Sequence, residues 1–120
     1  MAKSILDANV ILRYLLRDDE SLFQKASALL ERVKSGEERA LIPESVLAEC
    51  VYVLLKIYKV ERQLISENLR GLFAYKGVVN PDKKDLIDSL ELFGRTGLSI
   101  VDCIVCSISI NRRIPLFKAS

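Results

Sequence analysis

Residues 4–16 read SILDANVILRYLL, a short apolar run broken by Asp7 and resumed at helical spacing. Ser4 to Leu6 predicts the start of a buried strand and Val10 to Leu16 a helix, with Asp7 or Asn9 supplying the N-cap oxygen between them. In Ser21 to Lys34 the apolar positions Leu22, Ala26, Leu29, Leu30 and Val33 recur at the period of one helix face, and Gly36 ends that helix. Arg39 to Ile42 reads as a short strand. A long apolar helix follows from Pro43, whose missing N–H suits a first helical position, to about Tyr58. Glu61 to Phe73 predicts a helix, Gly77 to Asn80 a strand carrying Val78 and Val79, and Pro81 to Phe93 another helix. After a turn at Thr96 and Gly97, a helix runs from Leu98 or Ser99 to Arg112, and Ile114 to Phe117 closes the chain as a last strand. Four strands separated by helices, with no hairpin dipeptide, predict an α/β fold: a parallel sheet wrapped by helices.

Composition narrows the setting. A chain of 120 residues, half of them hydrophobic, fits one domain over residues 1–120 with its own core. The three cysteines, Cys50, Cys103 and Cys106, are an odd number in apolar surroundings, which suits a reduced compartment. No secretory leader and no run approaching a membrane span stands out, so a cytoplasmic location is expected. A net charge of +2 is too small to draw in a nucleic acid by long-range field, so any such partner must be recognised locally.

The candidate chemistry lies in three isolated carboxylates. Asp7 follows the first strand, at the sheet edge where ligands of open parallel sheets collect, although a plain helix cap explains it equally well. Glu49 falls just outside the apolar arc Val46, Cys50, Leu54, Val51, a position that suits a cleft wall or an ordinary solvated glutamate. Asp102 is the sole charge in residues 98–111, LSIVDCIVCSISIN, a helix apolar nearly all round and expected to be buried. A buried carboxylate must be paired, protonated or bound to a cation; Ser99 with Asp102 also matches a capping box, which explains its sign but not its isolation. Two carboxylates about 4 Å apart repel by roughly 4 kcal/mol at an effective dielectric near 20, so convergence of the three at one edge requires a cation. With no histidine in the chain, hard oxygen donors select Mg²⁺ or Mn²⁺, and with it phosphodiester or phosphoryl chemistry.

The segments ILDANVILRYLL, IPESVLAECVYVL, LSIVDCIVCSI and RRIPLF resemble, in order and spacing, the PIN-domain ribonucleases, and among them the VapC-type toxins of toxin–antitoxin pairs. The resemblance implies a three-layer α/β/α fold with a small parallel sheet of about four strands, a Mg²⁺- or Mn²⁺-dependent endoribonuclease, a homodimer, and a cognate antitoxin over the active site. It implies that Asp7 and Asp102 bind metal and that Glu49 is a ligand or holds a metal-bound water. Asn9 and Ser99 would support them, and hydrolysis would leave a 5′-phosphate and a 3′-hydroxyl. The family's Thr-x-Asp element after the last strand is not matched, since Lys118 and Ser120 occupy those places. A chain truncated at its C-terminus or an altered site follows from that departure.

Other features carry less. Cys103-x-x-Cys106 lies in an apolar helix and reads as buried small hydrophobes rather than a redox or zinc site. Arg13, Arg17, Arg112, Arg113 and Lys118 are candidates for RNA phosphates, or plain surface charges. Tyr14, Tyr52 and Tyr58 read as core, rim or dimer residues rather than base-stacking platforms. A haloacid-dehalogenase-type phosphatase wants a second acid where Asn9 stands and a downstream pattern this chain lacks. The other alternative is a PIN module that binds RNA or a protein partner with impaired catalysis.

Overall fold

Asp7, rather than Asn9, caps the first helix: its Oδ1 accepts from the Val10 N–H at 3.0 Å, which turns the chain out of a strand and into a helix within one residue. The computed structural model describes residues 4–117, in the order β1 (Ser4–Ile5), α1 (Ala8–Leu16), α2 (Glu20–Ser35), β2 (Ala40–Leu41), α3 (Glu44–Tyr52), a π-helical segment (Val53–Ile57), α4 (Arg62–Phe73), α5 (Lys83–Arg95) and α6 (Ile100–Arg112). Asp19 caps α2 through Leu22 N–H, and Gly36, at φ 89°, ends it in the left-handed conformation that glycine adopts without strain.

The sheet is smaller than the sequence pattern and the family resemblance imply. β1 and β2 pair in parallel, Ser4 opposite Ala40 and Ile5 opposite Leu41, and the third extended segment adds one isolated parallel bridge, Ala40 to Val78. The expected three-layer fold with about four strands is therefore corrected, among the described residues, to a mostly helical domain around a two-stranded parallel sheet. Asn80 explains why the third segment stops at one bridge. Its amide accepts from Ile42 N–H (2.9 Å) and donates to Ile42 C=O (2.7 Å), filling the backbone positions where a longer strand would pair. Ile114 to Phe117 forms no strand either. Ile114 is folded back onto α6, its N–H on Ser109 C=O (3.0 Å) and its C=O on Ser109 Oγ (2.5 Å), with Arg113 left-handed at φ 55°. The remaining expected tail positions, Lys118 and Ser120, lie outside the described residues.

The core is one cluster running from Leu6, Ile11 and Leu30 through Ile42, Leu47 and Leu54 to Ile65, Phe73, Leu90, Phe93 and Ile104. The expected continuous helix from Pro43 to Tyr58 instead widens into the π-helical segment after Tyr52 and ends at Lys59, left-handed at φ 56°. The helix expected to be buried all round, α6, buries Ile100, Cys103, Ile104 and Ser107 but leaves Val101 and Ile110 exposed. A polar clasp fixes it to α5. Buried Asp85 accepts from Asn111 Nδ2 (2.8 Å) and from Arg112 Nη2 (2.7 Å), and Asn111 also donates to Asp88 (3.0 Å). Among the described residues no helix is long and apolar enough to cross a membrane.

Two outcomes are expected. Asn80→Leu leaves the buried Ile42 N–H and C=O unpaired, each orphan costing about 1–3 kcal/mol, so chemical denaturation should show a midpoint well below wild type. The Asp85 carboxyl is held below its ordinary 3.8 by the Asn111 hydrogen bond, and by Arg112 against the opposing effect of burial. Because the folded carboxyl takes up its proton less readily than the unfolded one, the clasp contributes in full above about pH 4 and its contribution fades as pH falls through the lowered pKa. Asp85→Asn should cost about 1–2 kcal/mol at neutral pH, a figure reduced by the half-exposed Arg112, and the difference from wild type should shrink in acid unfolding curves.

Candidate functional site

The parallel pairing of β1 and β2 brings the starts of α1 and α3 to the same end of the sheet. Asp7 stands at the first turn of α1, exposed, with Oδ1 committed to the cap and Oδ2 without a hydrogen bond among the described residues. Glu49 is exposed on α3 and lines, with Asn9, Arg13 and Tyr58, a hollow of about 210 Å³ between α1 and the α3–π segment. Next to Glu49 in the chain, Cys50 is fully buried, its Sγ 4.0 Å from the Ala8 carbonyl oxygen. Burial, then the charges of Glu49 and Asp7, push the Cys50 thiol up to about 12. Helices α1 and α3 pack against each other, and Cys50 lies buried in that seam.

Asp102 is placed differently. It lies half-buried in the first turn of α6, where its backbone N–H donates to the Ser99 Oγ cap at 3.1 Å. Ser99 thus supports Asp102 through the helix start. Among the described residues no group of three or more His, Cys, Asp and Glu side chains is placed to hold a metal ion. Asp7 caps α1, Glu49 lies on α3 and Asp102 stands in the first turn of α6, and among the described residues they are not gathered into one such group. The donors present are oxygens, the chemistry that Mg²⁺ and Mn²⁺ prefer, and Mg²⁺ is commonly held by one or two carboxylates with water and phosphate filling the rest. Asp7 and Glu49 present exposed carboxylate oxygens of that kind, whereas among the described residues a closed three-carboxylate cage is not assembled.

Several cations expected at the RNA surface are engaged with acids. Arg13 Nη1 reaches both oxygens of Asp18 (3.1 and 3.2 Å), Arg17 pairs with Glu20 and lies 4.2 Å from the Phe23 ring centre, and Arg112 belongs to the Asp85 clasp. Lys118 lies outside the described residues.

Two groups that the sequence reading passed over shape this edge. Arg62 donates through Nε to Phe93 C=O (3.0 Å) and through Nη2 to Leu98 C=O, and its guanidinium lies 3.7 Å from the Phe93 ring centre. It ties the start of α4 to the loop ahead of Ser99, and so sets where α6 and Asp102 begin. No local signal marks it, because its partners lie 31 and 36 residues away. Asp18 is the second. It accepts from Arg13 and from the Tyr58 hydroxyl (3.2 Å), joining the end of α1 to the end of the π-helical segment across the Glu49 hollow. Partial desolvation raises the Asp18 pKa, but the bonds from Arg13 and Tyr58 outweigh it and hold the carboxyl below its ordinary value.

The sequence matches the PIN domain family over residues 4–120, and the chain belongs to that family. It is 27% identical over 101 residues to a VapC ribonuclease of Aquifex aeolicus (strain VF5), an alignment covering 83% of this chain and 73% of that protein. No solved structure matches it.

Arg62→Met keeps the aliphatic bulk and removes both hydrogen bonds and the charge over Phe93. Hydrogen bonds from a charged donor contribute about 1.5–3 kcal/mol, so thermal unfolding should move down accordingly, and amide NMR shifts should change at Leu98 to Asp102 rather than in α1 or α2.

Proposed function

We propose that this protein is a PIN module that engages RNA at the edge formed by Asp7, Asn9 and Glu49, with hydrolysis impaired because its candidate acids are not gathered into one metal-holding group. The observation that carries the reading is that Asp7, Glu49 and Asp102 form no group of three able to hold a metal ion among the described residues, while Asn9 and Glu49 line one hollow. The family, and a relative named as a ribonuclease, supply the RNA side of the reading.

A second reading is a metal-dependent endoribonuclease, the toxin of a toxin–antitoxin pair, in a cytoplasmic setting that suits its free thiols. The open oxygen of Asp7 and the exposed carboxylate of Glu49 favour it. On this reading Asp7 and Glu49 hold Mg²⁺ or Mn²⁺, with Asp102 a further ligand. The cation supplies activation of water and neutralisation of phosphate charge. The chain's own part is to fix Asp7 through its cap, to place Asp102 through Ser99 and Arg62, and to orient RNA through Asn9 and the surrounding cations. An antitoxin and a second copy of the chain are the protein partners it carries.

Fluorescence anisotropy of single-stranded RNA in EDTA, followed by cleavage assays in Mn²⁺, separates the two readings. Binding that persists in EDTA with little Mn²⁺-dependent cleavage is expected. Efficient cleavage in Mn²⁺, abolished by Asp7→Asn and by Asp102→Asn in proteins that still fold, would overturn the impaired reading in favour of the nuclease. Absence of RNA binding under both conditions would sink both.

A further inference from the structure

The hollow between α1 and the α3–π segment has a composition that catalysis alone does not require. Its apolar wall comes from Leu12, Leu16, Val53 and Ile57, and Tyr58 closes one side. Ile57 and Tyr58 keep 62% and 43% of their surface exposed, so two large groups stand at its mouth with much of their apolar surface uncovered. Asn9 and Glu49 add one amide and one carboxylate. At about 210 Å³ the space falls below the roughly 300–1,000 Å³ of drug-sized pockets and suits a single heterocycle. The groove between α1 and α2 is larger, about 370 Å³, but no aromatic ring lines it.

We infer that this hollow is a subsite for one unpaired nucleobase of single-stranded RNA, packed against Tyr58 and read by Asn9 and Glu49; the inference rests on the RNA-binding reading above. Three features of the site point the same way. An apolar slot with one aromatic wall takes the flat face of a base, the contact by which proteins hold unstacked nucleotides. The Tyr58 ring is anchored before any ligand arrives, since its hydroxyl donates to Asp18, and Asp18 in turn accepts two contacts from Arg13. That chain also stands the Arg13 guanidinium at the rim with donors to spare for the adjoining phosphate. The π-helical widening at Val53–Ile57 is what brings Tyr58 round to Asp18, and such irregular turns concentrate at functional sites.

The polar groups also set a preference. Glu49 is acceptor-only when ionised and pairs with the exocyclic amines of cytosine, adenine or guanine, and Asn9 offers the amide pattern that meets adenine. Uracil offers Glu49 its single imino N3–H between two carbonyl oxygens and no exocyclic amine, so an amino-bearing base is favoured over it.

The test is a cycle between one side chain and one base, read by anisotropy of a labelled single-stranded RNA in EDTA. Tyr58→Ala should lower affinity by roughly 5- to 150-fold, the range for loss of one base–aromatic stack. Tyr58→Phe, which keeps the ring and loses only the bond to Asp18, should keep most of the affinity. Scanning the RNA with abasic residues should find one position whose loss weakens wild type by a similar factor, with little further effect in Tyr58→Ala. Uridine at that position should bind less tightly than adenosine or cytidine. The abasic scan on wild type keeps the test independent of how any variant folds. If RNA binds but no position is sensitive, or if base removal and Tyr58→Ala act additively, the subsite is wrong while the RNA-binding reading stands. If wild type binds no RNA, both fall together.

Discussion

The parallel register of β1 on β2 is the constraint on which the candidate site depends. With Ser4 opposite Ala40 and Leu6 N–H on Leu41 C=O at 3.0 Å, both strands end at the same level, and the chain leaves each of them into a helix. Asp7 caps one helix and Pro43 opens the other, so α1 and α3 start from the same end of the sheet. An antiparallel pair would send these helices from opposite ends of the sheet. Cys50 fills the seam because a small apolar side chain is what close approach of α3 to the Ala8 carbonyl permits. The Asn80 amide on Ile42 supports the same end of β2 and fixes the point from which α3 departs.

The placement of Asp102 is set by a different group of interactions. Ser99 decides where α6 begins, Arg62 ties the preceding loop to α4 and Phe93, and the Asp85 clasp fixes the far end of the helix on α5. All three bind α6 to the α4–α5 side of the molecule, whereas Asp7 and Glu49 are fixed by the sheet. The three acids are thus positioned by two separate sets of contacts, although α6 also packs against α3.

What the sequence disclosed was local. The Asp7 and Ser99 caps, the Ala26, Leu30 and Val33 part of the α2 face and the Gly36 stop were readable because their signals lie within a few residues, whereas Leu22 of the same stripe is exposed. Strand extent was not readable, since Val78 and Val79 look the same in a full ladder as beside a single bridge. The amide that limits pairing acts 38 residues away. The burial expected for α6 followed from its apolar composition, yet Val101 and Ile110 face solvent, so Asp102 reaches water without the pairing that a fully buried acid would need. Arg62 and Asp18 escaped notice for the same reason: each takes its role from partners distant in the chain, and neither sits in a distinctive motif.

The distribution of charge bears on how such an edge can recognise RNA. A net charge of +2 gives little attraction at distance, and Arg13, Arg17 and Arg112 are each already satisfied by a carboxylate. A cation held by an acid keeps its geometry but contributes less field, because the pair is close to neutral beyond about a Debye length. Phosphate contacts can then fix orientation without supplying most of the affinity, and the discriminating contacts fall to groups that act at short range. At this edge those are the Tyr58 ring, the Asn9 amide and the Glu49 carboxylate. The acids that would repel an RNA backbone at long range are the same groups that hold the arginines in position, so a weak overall field and a well-ordered local site arise from one arrangement of charges.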